Sequence, residues 1–255
     1  MIKGIGIAGI AGRMGQLLAE ETLAAGLKLV GGVDRVAGTN GVTMFKDISA
    51  LAEACDVVVD FTHASTAQSH AVTIAAGGAA WVLGTTGLSA EDEAAVAAAG
   101  KRVPVVYAPN YSAGVTLLMA LAERMAAALP AESYDAEILE MHHRQKVDAP
   151  SGTAVGLGRA VARGRGVRLE DVTESGRDGH TGARKTGAIG FAALRGGQVV
   201  GEHSLLFASG TEHITLSHRA FDRRAFATGA IRAAGWVYGK PIGLYGMTDV
   251  LGLIS

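Results

Sequence analysis

Residues 4–34, GIGIAGIAGRMGQLLAEETLAAGLKLVGGVD, decide the fold of the N-terminal half of the chain. An apolar run over residues 3–8 predicts a strand, and glycines follow it directly. Residues 14–25 place leucines at helical spacing, and residues 27–33 predict a second strand that ends at Asp34. A strand, a glycine turn, a helix and another strand predict a βαβ unit with parallel strands and a right-handed crossover.

The alternation of strands and helices continues to residue 107. The apolar run DVVVDF at residues 56–61 is typical of a parallel strand that is covered on both faces. The further predicted elements are a helix over 65–76, a strand over 81–83, a helix that Ser89 caps and that runs through Ala99, and a strand over 103–107. The sequence therefore predicts a Rossmann-like parallel sheet with helices packed against it.

The pattern changes after Asn110, where we predict a second domain. Its predicted elements are a helix over 113–129, a strand over 136–141, a helix over 153–163, and a meander of IGFAALR (189–195), VVGEHSLLF (199–207) and EHITLSHR (212–219). A final amphipathic helix is predicted over 225–238. We therefore predict an α/β fold in two domains. The first is a Rossmann-like domain over 1–112 with 222–255 packing back onto it, and the second is an α+β domain over 113–221 with a mixed, largely antiparallel sheet.

Charge and cysteine content exclude several classes of partner and site. The formal net charge is −1, so no global field favours nucleic acid or a membrane surface. Cys55 is the only cysteine, which excludes an intrachain disulfide and a Cys-based metal cage. The apolar start is interrupted by glycines and followed by Arg13, so a secretory signal is not predicted, and no apolar run approaches the roughly 20 residues of a membrane span. We therefore expect no nucleic-acid or membrane partner and a cytoplasmic location.

The glycines of residues 9–15, GIAGRMG, lie where the first strand passes to the first helix. Glycines at such a turn let backbone N–H groups approach a pyrophosphate at the helix N-terminus. The spacing G-x-x-G-x-x-G is not the strict dinucleotide pattern, and a plain βα turn is the alternative. Asp34 lies about 20 residues further, at the end of the second strand, where a carboxylate accepts hydrogen bonds from ribose hydroxyls. The combination predicts a nicotinamide dinucleotide site.

Three further features bear on that dinucleotide site. Arg35 could pair with the 2′-phosphate of NADP, whereas Asp34 alone favours NAD, so use of both NADH and NADPH is predicted; the alternative is that Arg35 is a solvated surface charge. Arg13 is a second candidate for the cofactor phosphates. The loops at residues 84–87 and 108–111 follow predicted parallel strands, whose carboxyl ends border ligands in such sheets. We expect these loops to border the nicotinamide, although they could be ordinary polar connections.

Residues 140–153, EMHHRQKVDAPSGT, carry the second candidate site. Ser-Gly-Thr at residues 151–153 opens a helix, whose free N–H groups could hold a carboxylate with Lys146 as countercharge. His142 or His143 could donate a proton after hydride transfer to a C=C or C=N bond. Each histidine alone could be a hydrogen-bonded structural residue. A zinc site formed by His142, His143 and Asp148 is the alternative, but adjacent histidines on a strand point to opposite faces and rarely bind one ion, so no metal site is predicted.

The motifs GIAGRMG, DFTHAS, GTTG, APNYSAGV, EMHHRQKVDAPSGTA, GHTGARKTGAIGF and VGEHSLLF together resemble the 4-hydroxy-tetrahydrodipicolinate (dihydrodipicolinate) reductase family of bacterial lysine and diaminopimelate biosynthesis. The resemblance runs nearly end to end. It implies reduction of a cyclic dicarboxylate imine to tetrahydrodipicolinate, with NADH or NADPH giving hydride to ring carbon four and water being lost. It also implies a small dicarboxylate substrate, two domains that close over the ligands, and a homotetramer assembled through the second-domain sheet.

The resemblance also implies roles for particular residues. His142 matches the general acid and Lys146 the cation that stabilises developing charge. His143, Gly152 and Thr153 match the contacts to the substrate carboxylates. The cofactor positions are Gly9, Ile10, Ala11, Gly12, Arg13, Met14, Asp34, Arg35, Gly84, Thr85, Thr86, Ala108, Pro109, Asn110 and Tyr111.

The chain departs from the family pattern in three places. The loop between Asp34 and Val42 is short, Gln145 stands where a basic residue is common, and Pro109 replaces a smaller residue. The preference between NADH and NADPH stays open for this reason. Three alternatives also stay open. They are a dehydrogenase of another small amino or imino acid, a non-catalytic dinucleotide sensor, and a hydrolase that uses Ser151 with His142 or His143, although Ser151 lacks a nucleophile elbow.

Overall fold

The computed structural model of the chain describes residues 4–36 and 41–253. The strands are β1 (Ile5–Ala8), β2 (Leu29–Val33), β3 (Val57–Asp60), β4 (Ala80–Leu83), β5 (Pro104–Tyr107), β6 (Asp135–His142), β7 (Thr173–Ser175), β8 (Ile189–Arg195), β9 (Gly201–Ala208), β10 (His213–Ala220) and β11 (Gly243–Tyr245). The helices are α1 (Arg13–Ala24), α2 (Ile48–Ala54), α3 (Ala67–Gly77), α4 (Ala90–Ala99), α5 (Ala113–Ala128), α6 (Gly152–Gly164), α7 (Leu169–Val172), α8 (Arg224–Val237) and α9 (Met247–Leu251), and a 3-10 turn at Ala64–Thr66 precedes α3.

The chain forms two compact units. The first unit comprises Met1–Ala113 and Arg223–Ser255, and the second comprises Gly114–Asp222. The functions assigned to the two predicted domains stay predictions. Lys3 of the first predicted strand and part of the short loop between Asp34 and Val42 lie outside the described residues.

The first unit holds a six-stranded parallel sheet in the order β11-β5-β4-β3-β1-β2. Residues that alternate along β3 face opposite layers: Val57 and Val59 pack in the core shared with α1 and α8, and Val58 packs in the core shared with α2, α3 and α4. Burial on both faces explains why this strand is a continuous apolar run rather than an alternating one. The predicted Rossmann-like sheet is confirmed.

Helix α8 packs on α1 within the first unit. The guanidinium of Arg224 forms ion pairs with Glu20 and Glu21, with N–O distances of 2.7 and 2.8 Å. The apolar side of α8 supplies Ala230, Ile231 and other small residues to the core on that face of the sheet. Helix α8, near the C-terminus, therefore lies in the same layer as α1, the first helix of the chain.

The second unit holds a five-stranded mixed sheet in the order β10-β9-β6-β8-β7. The β10–β9 and β9–β6 pairs are antiparallel, and the β6–β8 and β8–β7 pairs are parallel. A mixed sheet was predicted and is confirmed. The predicted meander is right for β9 and β10, which are antiparallel neighbours, but wrong for β8, because β6 lies between β8 and β9. The connection from β8 to β9 wraps the end of β6, where the amide of Gly196 donates to the His142 carbonyl and the amide of His143 donates to the Val199 carbonyl. Gly196 and Gly197 mark a local reversal of the chain between β8 and β9, but they do not determine which strand becomes the neighbour.

The described part of the chain contains neither a membrane-spanning helix nor a cluster of metal ligands. Among residues 4–36 and 41–253, no helix is both long and apolar enough to cross a membrane. The same part of the chain contains no group of three or more His, Cys, Asp or Glu side chains placed to hold a metal ion. In particular, the alternative of zinc bound by His142, His143 and Asp148 has no such group among these residues.

Candidate active site

The glycine turn between β1 and α1 needs glycine at two positions for different reasons. Gly9 has φ +80°, a backbone conformation that residues with a side chain rarely adopt. At Gly15, a Cβ atom would lie 2.1 Å from the carbonyl oxygen of Gly9 and 2.6 Å from Cα of Ile10. Gly15 therefore lets the first turn of α1 lie directly against the glycine turn, with the helix N-terminus at the surface that a pyrophosphate would contact.

Asp34 follows β2 and is hydrogen-bonded to the glycine turn. Its Oδ2 accepts a hydrogen bond of 2.9 Å from the Ala11 amide. Its Oδ1 accepts from the amides of Arg35 and Val36 at 2.7 and 3.3 Å. The carboxylate is therefore held beside the turn by backbone donors on both sides. Its position at the carboxyl end of a parallel strand is that of a ribose-binding acid.

Two clefts of the first unit share the glycine turn. The larger has a volume of about 860 Å³ and is lined by Gly9, Ala11, Gly12, Val33, Asp34, Arg35, Val36, Phe61, Thr62, His63, Ser65, Thr66 and His70. The smaller, about 420 Å³, is lined by Gly9, Gly12, Arg13, Met14, Gly15, Phe61, Gly84, Thr86, Pro109, Asn110, Tyr111, Arg223 and Phe226. Their volumes fall in the range of small-molecule sites, and together they are large enough for a dinucleotide.

Most of the predicted cofactor residues line these clefts, and three do not. Ile10, Thr85 and Ala108 are 1%, 3% and 4% exposed and line neither cleft. Thr85 Oγ1 donates to the Thr62 carbonyl at 3.2 Å, so its side chain joins two loops. Tyr111 is also buried, with its hydroxyl 2.9 Å from the carbonyl oxygens of Leu83 and Val106.

Sequence reasoning missed two groups of cleft residues. The first is the loop after β3, where Thr62 and His63 line the larger cleft. The rule that ligands lie beyond the carboxyl ends of parallel strands was applied to β4 and β5 and could have found this loop as well. The second group is Arg223 and Phe226 at the start of α8, which line the smaller cleft and lie more than 200 residues from the glycine turn. No local signal in the sequence indicates this pair.

The buried carboxylate of Asp60 organises the loop after β3. It is 0% exposed and ends the strand. Its Oδ1 accepts from Thr62 Oγ1 at 2.6 Å, and its Oδ2 lies 2.7 Å from His70 Nδ1 and accepts from Trp81 Nε1 at 3.3 Å. Because each oxygen has a partner, Asp60 acts as a structural anchor that holds Thr62 and His70 at the wall of the larger cleft.

In the second unit, the end of β6 places Glu140 and His142 on the same buried face. Glu140 is 1% exposed and its Oε2 lies 2.5 Å from His142 Nδ1. Arg195 of β8 binds Glu140 through two nitrogens at 2.9 and 2.8 Å. Glu140 Oε1 also accepts from the Ser151 amide at 3.1 Å. One carboxylate therefore joins β6, β8 and the start of α6. The sequence did not indicate this arrangement, because Arg195 lies 55 residues from Glu140 in the chain.

The charges in this cluster follow from burial and pairing. Burial alone would raise the pKa of Glu140, but hydrogen bonds from Arg195 and His142 lower it, so the carboxylate stays ionised. Burial lowers the pKa of His142, and the Glu140 carboxylate opposes that shift. Burial and the neighbouring His142 lower the pKa of His203 to about 4, so the His203 ring is neutral near pH 7.

The remaining predicted substrate residues lie around the loop from β6 to α6. The ammonium of Lys146 is 2.8 Å from the Asp148 carboxylate, and this hydrogen bond lowers the pKa of Asp148. The Nδ1 atom of His143 is buried and has no hydrogen-bond partner among the described residues. Gly152 is exposed, and a Cβ atom there would meet nothing within 4 Å. The start of α6 therefore presents an accessible backbone.

Ser151 caps α6 rather than standing free as a nucleophile. Its Oγ accepts from the Ala154 amide at 3.2 Å and lies 3.0 Å from His203 Nε2. The residue is 2% exposed. The histidine beside Ser151 is thus His203, whereas the hydrolase hypothesis had named His142 or His143. The helix-capping geometry gives Ser151 a structural role.

Comparison with known proteins assigns the family. The model described as dihydrodipicolinate reductase, N-terminus, matches residues 3–111, and the model described as dihydrodipicolinate reductase, C-terminus, matches residues 114–251. The chain belongs to the dihydrodipicolinate reductase family. The resemblance noted in the sequence is confirmed, and so is the prediction of an oxidoreductase that uses NADH or NADPH. The roles of individual residues stay predictions.

Relatives match this family member over almost its full length. The 4-hydroxy-tetrahydrodipicolinate reductase of Granulibacter bethesdensis is 64% identical over 253 residues, covering 98% of this chain and 97% of that protein. The enzyme of the same name from Gluconacetobacter diazotrophicus is 61% identical with the same coverage. A solved structure, a dipicolinate-bound dihydrodipicolinate reductase from Paenisporosarcina sp. TG-14, has a TM-score of 0.78 at 25% identity and covers 96% of this chain and 97% of its own.

Proposed function

We propose that this chain reduces 4-hydroxy-tetrahydrodipicolinate to tetrahydrodipicolinate, with NADH or NADPH as the hydride donor. The observation that carries the proposal is the full-length match to reductases of that name, at 64% and 61% identity. The net reaction takes up one hydride at ring carbon four and one proton, and it releases one water. The dipicolinate bound in the Paenisporosarcina enzyme supports a small dicarboxylate as the substrate.

The first unit contains the residues that would hold the cofactor. The glycine turn fits a pyrophosphate, because the absence of a Cβ atom at Gly15 lets the N-terminus of α1 lie directly against the turn. Asp34, bound to the same turn, fits the ribose hydroxyls. Arg35 lines the same cleft and would pair with a 2′-phosphate. The bound nicotinamide supplies the hydride. The chain's own contribution here is to bind and orient the dinucleotide.

The second unit contains the residues that would handle the proton and the substrate. An ionised carboxylate only accepts hydrogen bonds, so the His142 nitrogen 2.5 Å from Glu140 must carry a hydrogen. The proton that His142 gains and loses therefore sits on Nε2, the atom we propose as proton donor. A dianionic substrate favours the protonated imidazole and would offset the burial that lowers the pKa of His142.

Charge on the substrate would be balanced by the loop after β6. We propose that Lys146 faces the developing negative charge and exchanges its Asp148 partner for the substrate. The accessible start of α6 at Gly152 and Thr153 would seat one carboxylate, because the first N–H groups of a helix have no acceptor within it. His143 would contact the other carboxylate.

A homotetramer stays a prediction from the family resemblance, and a cytoplasmic location stays a prediction from the sequence pattern. The sheet of the second unit has one open face that exposes Leu139 and Leu194, at 41% and 49%. Exposed leucines on a sheet face support assembly through that face. Light scattering coupled to size-exclusion chromatography would give the mass, and a monomer would exclude this part of the proposal.

The test is turnover with the product of the preceding synthase, followed as oxidation of NADH and of NADPH. Removal of a general acid costs about 10² or more, so His142→Ala and Lys146→Ala should each lower kcat by roughly that factor. NADH affinity should stay close to the wild-type value in both. Absence of turnover with either cofactor would exclude the reductase and leave the dinucleotide sensor as the better hypothesis. Unchanged kcat in both variants would contradict the assigned roles.

A further inference from the structure

Glu140 accepts more hydrogen bonds than the packing of a strand residue in β6 requires. Strand residues at its position need only pack against α6, yet this buried carboxylate has four contacts from three other residues. The two carboxylate oxygens bind different sets of partners. Oε2 binds His142 and one Arg195 nitrogen, and Oε1 binds the second Arg195 nitrogen and the Ser151 amide. A buried carboxylate is costly unless it is paired in this way.

The hydrogen-bond partners of Glu140 either belong to the proposed substrate site or lie directly beside it. His142 is the proposed proton donor, and Ser151 directly precedes the helix start at Gly152 and Thr153. Arg195 also donates to the Asp148 carbonyl at 2.5 Å, so the Glu140–Arg195 pair is connected to the loop that carries Lys146. The Glu140 side chain therefore connects the His142 ring, the start of α6 and, through Arg195, the loop that carries Lys146.

We propose that Glu140 is a positioning residue of the substrate site, which holds the His142 imidazole by Nδ1 and the start of α6 by the Ser151 amide. This inference rests on the proposed function, since it assigns Glu140 a role through His142. With Nδ1 bound to the carboxylate, the neutral ring is the Nδ1–H tautomer and Nε2 is the atom that exchanges protons. Glu140 itself contacts neither substrate nor cofactor in this scheme.

The pH dependence follows from the groups that face His142. Glu140 on its own strand favours the charged imidazole, whereas Lys146 in the following loop and Arg195 on β8 disfavour it. His203 on β9 places its ring 5.0 Å from that of His142, edge to face, and is neutral near pH 7. Glu140 is thus the one group named here whose charge favours a protonated His142. Loss of that charge lowers the pKa of His142 and moves the basic limb of the pH profile to lower pH.

The experiment compares Glu140→Gln with Glu140→Asp and with the wild type. Glutamine keeps the shape but removes the charge, and its single acceptor oxygen cannot replace both carboxylate oxygens, which accept from His142, Arg195 and the Ser151 amide. We expect kcat/KM for the substrate to fall roughly 10- to 100-fold, as for impaired general-acid catalysis. The basic limb should shift to lower pH in Glu140→Gln and stay near the wild-type position in Glu140→Asp, which keeps the charge. NADH affinity should not change in either variant.

Glu123→Gln is the matched control. Glu123 lies on α5 of the same unit and also binds one arginine, Arg163, through two nitrogens, but both side chains are exposed. The control should keep the wild-type rate and pH profile. If Glu140→Gln turns over substrate at the wild-type rate with an unshifted basic limb, the proposal is wrong while the reductase function stands. If the wild type itself does not turn over substrate, the proposed function fails first.

A measurement on the wild type covers the case in which Glu140→Gln does not fold. Nitrogen-15 chemical shifts of the His142 ring, assigned by loss of its signals in His142→Asn, report the tautomer of the neutral ring. The proposal requires hydrogen on Nδ1. An Nε2–H tautomer would overturn it, because the carboxylate would then not hold the ring.

Discussion

Asp34 Oδ2 accepts a 2.9 Å hydrogen bond from the backbone amide of Ala11, 23 residues earlier in the chain. The bond ties the end of β2 to the glycine turn after β1. The two features that predicted a dinucleotide site are therefore parts of one hydrogen-bonded structure. The carboxylate holds the turn, and in the proposed site it would also present charge to a bound ribose. Experiments can separate these two effects.

Asp34→Asn should weaken NADH binding more than NADPH binding. The charged acceptor for the ribose hydroxyls is lost, whereas a 2′-phosphate no longer meets a negative charge. Hydrogen bonds to charged groups contribute about 1.5–3 kcal/mol, so we expect the Kd for NADH to rise roughly 10-fold. Fluorescence titration with both dinucleotides measures the ratio. Equal weakening of both would mean that Asp34 acts only by holding the glycine turn.

Arg35→Met tests the other half of cofactor selectivity. Arg35 lines the larger cleft beside Asp34 and is exposed, so its removal costs little packing. We expect NADPH affinity to fall roughly 10-fold, the scale of a lost charge-assisted hydrogen bond, with NADH affinity unchanged. The same titrations apply. If neither affinity changes, Arg35 is a solvated surface charge with no role in cofactor selectivity.

Gly201→Ala tests the space around the proposed proton donor. A Cβ atom at Gly201 would lie 3.0 Å from His142 Nε2, a contact tighter than most Cβ atoms make, and 3.4 Å from its Cδ2. We expect kcat/KM for the substrate to fall roughly 10-fold, since overpacking costs about 1–3 kcal/mol and displaces the ring. Gly210→Ala is the control, because a Cβ atom there meets nothing within 4 Å. A wild-type rate in Gly201→Ala would place the reactive face of His142 elsewhere.

His203→Gln should flatten the dependence of stability on pH. Burial holds the folded pKa of His203 near 4, against 6.5 in the unfolded chain. Between these values the unfolded state binds the proton and the folded state does not, so stability is lost as pH falls from about 6.5 to about 4. The wild type should lose about 2 kcal/mol more than the variant between pH 7.5 and 4.5. Urea unfolding midpoints measure this difference.

Glutamine is chosen because its terminal group reaches the position of Nε2, which lies 3.0 Å from Ser151 Oγ. The carboxylates of Glu140 and Asp148, whose pKa values are lowered, also lose stability in acid, so the wild type alone is not informative. The difference between the two proteins isolates His203. Equal loss of stability in both proteins would mean that the folded protein binds a proton at His203 by pH 4.5, so that burial does not lower the pKa of this residue as stated.

Local signals in the sequence predicted elements well where one short segment contains the whole interaction. The start of α4 is an example: Ser89 Oγ accepts from the Asp92 amide, and Asp92 Oδ2 accepts from the Ser89 amide. The capping residue and its acidic partner are three positions apart, so the sequence alone identifies the helix start. The short strand β11 was missed because Gly243–Tyr245 owes its conformation to pairing with β5 and carries no periodic pattern.

By itself, the sequence determined the Rossmann-like sheet, the mixed second sheet, the family and the segment from Glu140 to Thr153, because each rests on periodicity or on a contiguous motif. Only the tertiary structure placed β6 between β8 and β9, and with it Arg195 against Glu140, 55 residues apart. Which strands become neighbours depends on the burial of whole faces, to which residues distant in the chain contribute together. That choice of neighbours places Arg195 where it keeps the Glu140 carboxylate ionised beside His142.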